Sequence, residues 1–336
     1  MSRLEALVAT IFPRGEPVGE SALVALAPDS FEVLSYRELP SGDFLRNPAD
    51  GAPGAVRHAR GLAREGDRLF VTLFNSVGEY QVLDAAGLDL SLGRRLTSPA
   101  AADLHGLSLR GGELAVASTG GGCILIWDIE SGECRGLRLG AALPEADIRF
   151  PCQGPGSSGD LWRDALPGQN HVNDVALAEG GFVFSGLTGI GAHLNGEERI
   201  LASDDRALFH DARLLEDGRV LATDGARGEL VLIDRDSRSQ ERVAVTEPDS
   251  WFLRGVEVVD DHAYLLRSEV VENRQLWIGR EEPVRRWGAT LGVSVLELRS
   301  RRLVSEATVV LPDAPAGSVA YQALAWGDRS PGALLS

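Results

Sequence analysis

Polar and apolar positions alternate along this chain in short runs, not in helical turns. The segments "GDRLFVTLFNSVGEYQVLD" (66–84), "GGELAVASTGGGCILIWDIESGE" (111–133) and "DGRVLATDGARGELVLIDRDSR" (217–238) share one layout. Each has an apolar alternation, a turn rich in Gly or Asn, a second alternation ending in Asp, and a further turn. A period of two over four to eight residues, broken by Gly, Asp and Asn, predicts β-strands joined by tight turns.

A shorter pattern recurs inside this layout: a polar residue, a small or acidic residue, then apolar, any, apolar. It occurs at Arg60, His105, Asn173, His210, Arg254 and Gln322, and is imperfect only at the first, where Arg64 takes the last apolar place. The steps between occurrences are 45, 68, 37, 44 and 68 residues. A four-stranded propeller blade takes roughly 40–45 residues. The two long steps carry visible insertions, at about 141–168 and 270–288. The sixth pattern lies near the C-terminus, and "SALVALA" (21–27) and "FEVLSY" (31–36) supply strands that would complete its blade and leave few edges exposed. The expectation is an all-β, six-bladed propeller, one domain over residues 1–336, with the N- and C-terminal strands in one blade.

In such a fold the pattern begins each innermost strand, so Arg60, His105, Asn173, His210, Arg254 and Gln322 form a ring at the mouth of the central channel. Leu62, Leu107, Val175, Ala212, Val256 and Leu324 pack two residues further on. One step earlier on the same face lie His58, Asp103, His171, Leu208, Phe252 and Ala320. Four of the six histidines fall in these two rings. Imidazole ligates metals and serves as acid or base near neutral pH. Asp and Asn offer hard oxygen ligands. Two arginines facing one space would hold a carboxylate or another oxyanion.

The candidate catalytic residues are therefore His105, His210, His171 and Asp103. Arg60, Arg254, Gln322, Phe252 and, from the first insertion, Trp162 are expected to bind substrate. That insertion precedes an innermost strand, so it is expected as a lid with Phe150 and Trp162 near the channel mouth. A divalent metal ion (zinc, iron or calcium) would be held by two or three of His58, His105, His171 and His210, with Asn173.

Composition narrows the partners. A formal net charge of −16 repels phosphate backbones and anionic membranes, so neither nucleic acid nor a membrane is expected. The chain has no run of about 18 apolar residues. Its N-terminus makes a poor signal peptide, and three cysteines make no disulfide framework, so a reducing, cytoplasmic location is expected. "GSSG" (156–159) lacks the Lys and helix of a phosphate loop, and no nucleotide cofactor is expected.

"NHVNDVALAEGGFVFSG" (170–186) resembles the Asn-Asp-Val strand of the SMP-30/gluconolactonase and paraoxonase-like six-bladed propellers, which include strictosidine synthase-like members. The resemblance covers this motif closely and the blade pattern generally. It implies lactonase or esterase chemistry around a channel-bound divalent cation, with Asn173 as a ligand and Asp174 beside it. Arg60 stands where that family places a glutamate ligand, and His210 where it places Asn or Asp. A looser likeness is to amidating-lyase-type propellers, which bind zinc through histidine. The expected function is that of a small-molecule enzyme (hydrolase, lyase or isomerase) acting on an organic substrate that bears a carboxylate. The alternative is a non-catalytic propeller that binds a ligand or a protein.

Overall fold

The computed structural model describes residues 4–13, 21–40, 59–84, 86–138, 171–204, 206–247, 250–277, 280–311 and 318–327, and of residues 12–13 and 271–289 the backbone alone. Among the described residues there is no helix. Six four-stranded antiparallel sheets form the blades of a β-propeller.

The chain begins with β1 (Leu4–Pro13), β2 (Ala22–Leu26) and β3 (Val33–Glu38). The next blade is β4 (Ala59–Glu65), β5 (Arg68–Leu73), β6 (Val77–Asp84) and β7 (Asp89–Leu96). It is followed by β8 (Leu104–Arg110), β9 (Glu113–Ser118), β10 (Cys123–Asp128) and β11 (Cys134–Arg138). Then come β12 (Val172–Ala178), β13 (Gly181–Gly186), β14 (Gly189–Leu194) and β15 (Glu197–Ser203). A further blade holds β16 (Phe209–Leu214), β17 (Val220–Asp224), β18 (Glu229–Ile233) and β19 (Gln240–Ala244). The next holds β20 (Trp251–Val259), β21 (His262–Trp277), β22 (Arg280–Glu297) and β23 (Arg302–Val310). The last strand, β24 (Ser318–Gly327), joins the first sheet in the order β24-β1-β2-β3.

Each sheet is apolar on both faces, because each is sandwiched between two others. One core cluster joins Phe70, Val77 and Leu96 of one blade to Leu104, Leu114 and Trp127 of the next. Another joins Leu7, Val24 and Leu26 to Leu266, Val293 and Val295. Strands such as β2 and β17 are therefore buried along their whole length. A strand covered on two faces reads as an unbroken apolar run, and "ALVAL" does.

The innermost strand of every blade carries a β-bulge where the sequence pattern starts. In β8 the register jumps from Leu104↔Ser118 to Leu107↔Val116, so His105 and Gly106 together oppose one residue. The same two-against-one arrangement occurs at Arg60–Gly61, Asn173–Asp174, His210–Asp211 and Arg254–Gly255. In the first sheet Tyr321–Gln322 oppose Thr10. A bulge leaves ladder groups unpaired and sharpens the local twist. Hydroxyls on the facing strands take up the loose groups. Thr72 Oγ1 accepts from Arg60 N (3.2 Å) and Gly61 N (2.6 Å), Thr223 Oγ1 donates to His210 O (2.8 Å), and Thr10 Oγ1 accepts from Gln322 N (3.2 Å).

One expectation changes here. Strict alternation does not hold through the bulge: its second residue also faces the axis, while Leu62, Leu107 and Val175 pack into cores between blades. The insertion expected at about 270–288 is the continuation of β21 and β22 as a paired ribbon, with Val270↔Trp287 and Trp277↔Arg280 in register. The first insertion, with Phe150 and Trp162, lies outside the described residues, as does His58.

Removing residues 1–36 takes away β1, β2 and most of β3, and strips β24 of its partner. The truncated chain should lose its cooperative thermal transition and bind hydrophobic dye. A truncated protein that unfolds cooperatively at an unchanged midpoint contradicts this.

Candidate functional site

The six bulges bring six side chains to the axis. Arg60, His105, Asn173, His210, Arg254 and Gln322 are all buried, none more than 5% exposed. With Gly106, Asp174, Asp211 and Tyr321 they line one cavity at the centre of the ring. It leaves about 20 Å³ in which a water-sized sphere can move. That is room for one or two waters, not for an organic body.

Part of the ring fastens blade to blade. Asn173 Nδ2 donates to Phe209 O at 2.7 Å, Gln322 Oε1 accepts from Leu62 N at 2.8 Å, and Asp211 Oδ2 accepts from Gly255 N at 2.9 Å. Asp174 Oδ2 accepts from Ala212 N at 3.1 Å and forms an ion pair with Arg213. These contacts explain why the second residue of the pattern is glycine or aspartate in five of its six occurrences, Ala323 being the sixth. A Cβ on Gly106 would lie 1.7 Å from Asp174 Oδ1, so the glycine makes way for the neighbouring blade's aspartate.

The remaining groups are charged and aromatic side chains packed on one another. Arg60 Nη1 is 2.7 Å from Asp103 Oδ1, and the second carboxylate oxygen, Oδ2, is 3.5 Å from His105 Nε2. The ring of His105 stands edge-on to His171 (centroids 5.5 Å) and Tyr321 (6.0 Å). Both guanidiniums flank the Tyr321 ring, Arg60 at 5.0 Å and Arg254 at 4.4 Å from its centroid. Phe252 packs against His210 at 5.7 Å and against the Arg254 guanidinium at 4.7 Å.

Burial and the two guanidiniums keep the imidazoles of His105 and His171 neutral. His105 is held well below the usual histidine range by desolvation, with Arg60, His171 and Arg254 adding to it. His171 is lowered to about 3 by desolvation and by Arg60 and Arg254, against a hydrogen bond with Asn173 that favours the proton. Asp211 is pushed up to about 6, first by burial and then by the charge of Asp174, with Arg213 opposing.

The structure thus gathers Arg60, His105, Asn173, His210, Arg254 and Gln322 on one cavity, with Asp103, His171 and Phe252 beside them. Ala320, expected in the outer ring, belongs to a core between blades. Tyr321 and Arg213 were not expected. Tyr321 reaches the axis only because it is the first residue of a bulge. Arg213 had a signal in hindsight, a lone cation among the apolar positions of β16. Among the described residues no three His, Cys, Asp or Glu side chains form a metal-ligand cluster, and no helix is long and apolar enough to cross a membrane.

No family model matches the chain, and no curated protein sequence matches it. Solved structures do, at the level of fold. A chain of a nidogen/laminin complex superposes with a TM-score of 0.58 at 11% identity, over 95% of this chain and 97% of that one. A 6-phosphogluconolactonase-like protein from Bacteroides fragilis gives 0.52 at 10% identity, over 94% and 98%. Virginiamycin B lyase from Staphylococcus aureus gives 0.46 at 13% identity, over 76% and 71%.

Two outcomes are expected. Gly106→Ala forces Asp174 off its partners and should cost about 3 kcal/mol in chemical denaturation, the scale of a broken buried ion pair. His171 gives up its proton far more readily folded than unfolded, so acid favours the unfolded chain as pH falls from about 6.5 toward 3. Asp211 works the other way, its carboxyl protonating more readily folded, so the histidine's share is isolated by comparison. His171→Gln should gain on wild type by about 1 kcal/mol per pH unit between roughly pH 6 and 4. A pH-independent difference contradicts the neutral imidazole.

Proposed function

We propose that the protein is a small-molecule enzyme working at the centre of the propeller by histidine acid–base chemistry on a substrate that bears a carboxylate or forms an oxyanion. The observation that supports this most is the joint presence, around one water-poor cavity, of neutral imidazoles and two buried guanidiniums. A neutral imidazole can take a proton from a carbon acid or from a water, and then return it to a leaving group. Guanidiniums fixed beside it stabilise the negative charge that grows as the proton leaves, and in a site with little water that stabilisation is large. His105 and His210 are the acid–base pair in this reading. Asp103 and His171 orient His105, and Arg60, Arg254 and Gln322 bind substrate oxygens. Hydrolysis, elimination and isomerisation share this requirement.

The likeness of residues 170–186 to the SMP-30/gluconolactonase strand supports a lactone or ester as substrate. That reading makes Asn173 a cation ligand through its amide oxygen, which the bond from its amide nitrogen to Phe209 O leaves unoccupied. A divalent metal ion (zinc, iron or calcium) on His105, His171, His210 and Asn173 is the alternative use of the same residues. Arg60 and Arg254 share their space, and a cation beside two guanidiniums is disfavoured, so the donor set supports the metal-free form. A non-catalytic propeller is the rival class. The narrowness of the cavity and the fold likeness to a chain of a nidogen/laminin complex support it.

A panel of lactones, esters and hydroxy or keto carboxylates tests the proposal. Turnover by wild type should fall at least about 100-fold in kcat for His105→Gln and for His210→Gln. Arg254→Gln should act mainly on KM. Absence of turnover over the whole panel, with the cavity variants folded, favours the binding propeller. Elemental analysis of unchelated protein separates the two enzymatic forms. Less than about a tenth of an equivalent of any divalent metal in active protein leaves acid–base chemistry, and near one equivalent, lost in both histidine variants, establishes the metal.

A further inference from the structure

We infer that the carboxylate of Asp103 occupies Arg60 in place of a substrate carboxylate, and that the ligand binds by displacing it. The inference rests on the anion-binding reading above and adds the ligand's chemical class and its mode of entry. Three observations carry it.

The first is the contact. Arg60 Nη1 and Asp103 Oδ1 are 2.7 Å apart, and the guanidinium is almost wholly buried. The cationic arm of the site is thus taken by a planar carboxylate from the chain itself. What already fits Arg60 is the chemistry that would replace it.

The second is space. The cavity between Arg60 and Arg254 has room for one or two waters. A carboxylate arriving on Arg60 has no place unless Asp103 leaves. Arg254 flanks the same Tyr321 ring as Arg60 and brings a second cation to the same space.

The third is the backbone. Asp103 has φ 48°, a left-handed conformation that costs energy in any residue but glycine, though Asp and Asn tolerate it best. It stands immediately before β8 and keeps its carbonyl bonded to Thr119 N at 3.2 Å. The side chain can therefore turn without unpairing the strand. Its other oxygen already points at His105 Nε2, 3.5 Å away. On leaving Arg60 it remains in reach of that imidazole and can orient it. Asp103 is then a positioning residue that holds the site closed without substrate and aligns His105 with it. Exchange of one carboxylate for another conserves the ion pair, so it selects planar carboxylates over spherical anions.

Acetate is the probe. Its dissociation constant is measured by calorimetry for wild type, Asp103→Asn and Asp103→Gly; both replacements tolerate φ 48°, and thermal melts check that they fold. Removal of the internal competitor should tighten acetate binding about tenfold in both variants, the scale of one charge-assisted hydrogen bond. Binding seen only in the variants supports the inference equally. A crystal structure of wild type with acetate should place acetate on Arg60 with the Asp103 carboxylate turned toward His105. Acetate bound to wild type with Asp103 still on Arg60, or variants that bind it no better, overturns the displacement and leaves the anion site standing. No acetate binding at tens of millimolar in any of the three proteins overturns both.

Discussion

Each innermost strand starts with one residue too many, and the site exists because of it. A regular strand would send alternate side chains to the axis and let the blades pack as six similar wedges. The bulge turns two consecutive residues toward the centre and leaves backbone groups without ladder partners. Buried backbone groups must be satisfied. Thr10, Thr72 and Thr223 do this from the next strand, and Asp174, Asp211 and Gln322 do it from the next blade. Polar residues at the axis therefore serve the fold first. His105, Arg60 and Arg254 face the cavity with them, and His171 packs against His105.

Cations are concentrated here in an acidic molecule. The chain carries −16 overall, yet two guanidiniums stand at its centre among the carboxylates of Asp103, Asp174 and Asp211 and depress the histidines beside them. Surface charge is screened within about 8 Å at physiological salt, whereas the buried groups act on one another almost unscreened. A small anion placed against Arg60 or Arg254 would meet strong local attraction.

The fold and the inner ring were legible because a bulge has a local signature. A polar residue followed by a small or acidic one, repeated at blade spacing, marks the point where the backbone departs from alternation, and all six polar residues so marked do meet. The consequence of the bulge was less legible. Assuming a strict period of two put Ala320 in a ring, whereas it sits in a core, and passed over Tyr321, which the irregular register between β1 and β24 brings to the axis. The strand β1 was hidden because "LEALVATIFP" carries a glutamate at its second place and has no turn signal inside. Contacts between residues far apart in the chain, such as Arg213 with Asp174 and Arg60 with Asp103, leave no trace in local spacing. Composition alone could not tell a metal site from an anion site, since both use the same histidines. What separates them is the placing of Arg60 and Arg254, which only the closed ring fixes.

The central claim is that the axis is a narrow, buried centre holding neutral imidazoles beside two guanidiniums. Nitrogen-15 NMR of histidine-labelled protein, with His105 and His171 assigned by single substitution, reads this directly. Both rings should keep the signature of neutral imidazole from about pH 8 down to at least about pH 5, below the ordinary midpoint near 6.5. Ring nitrogens that titrate with midpoints at or above about 6.5 would contradict the account.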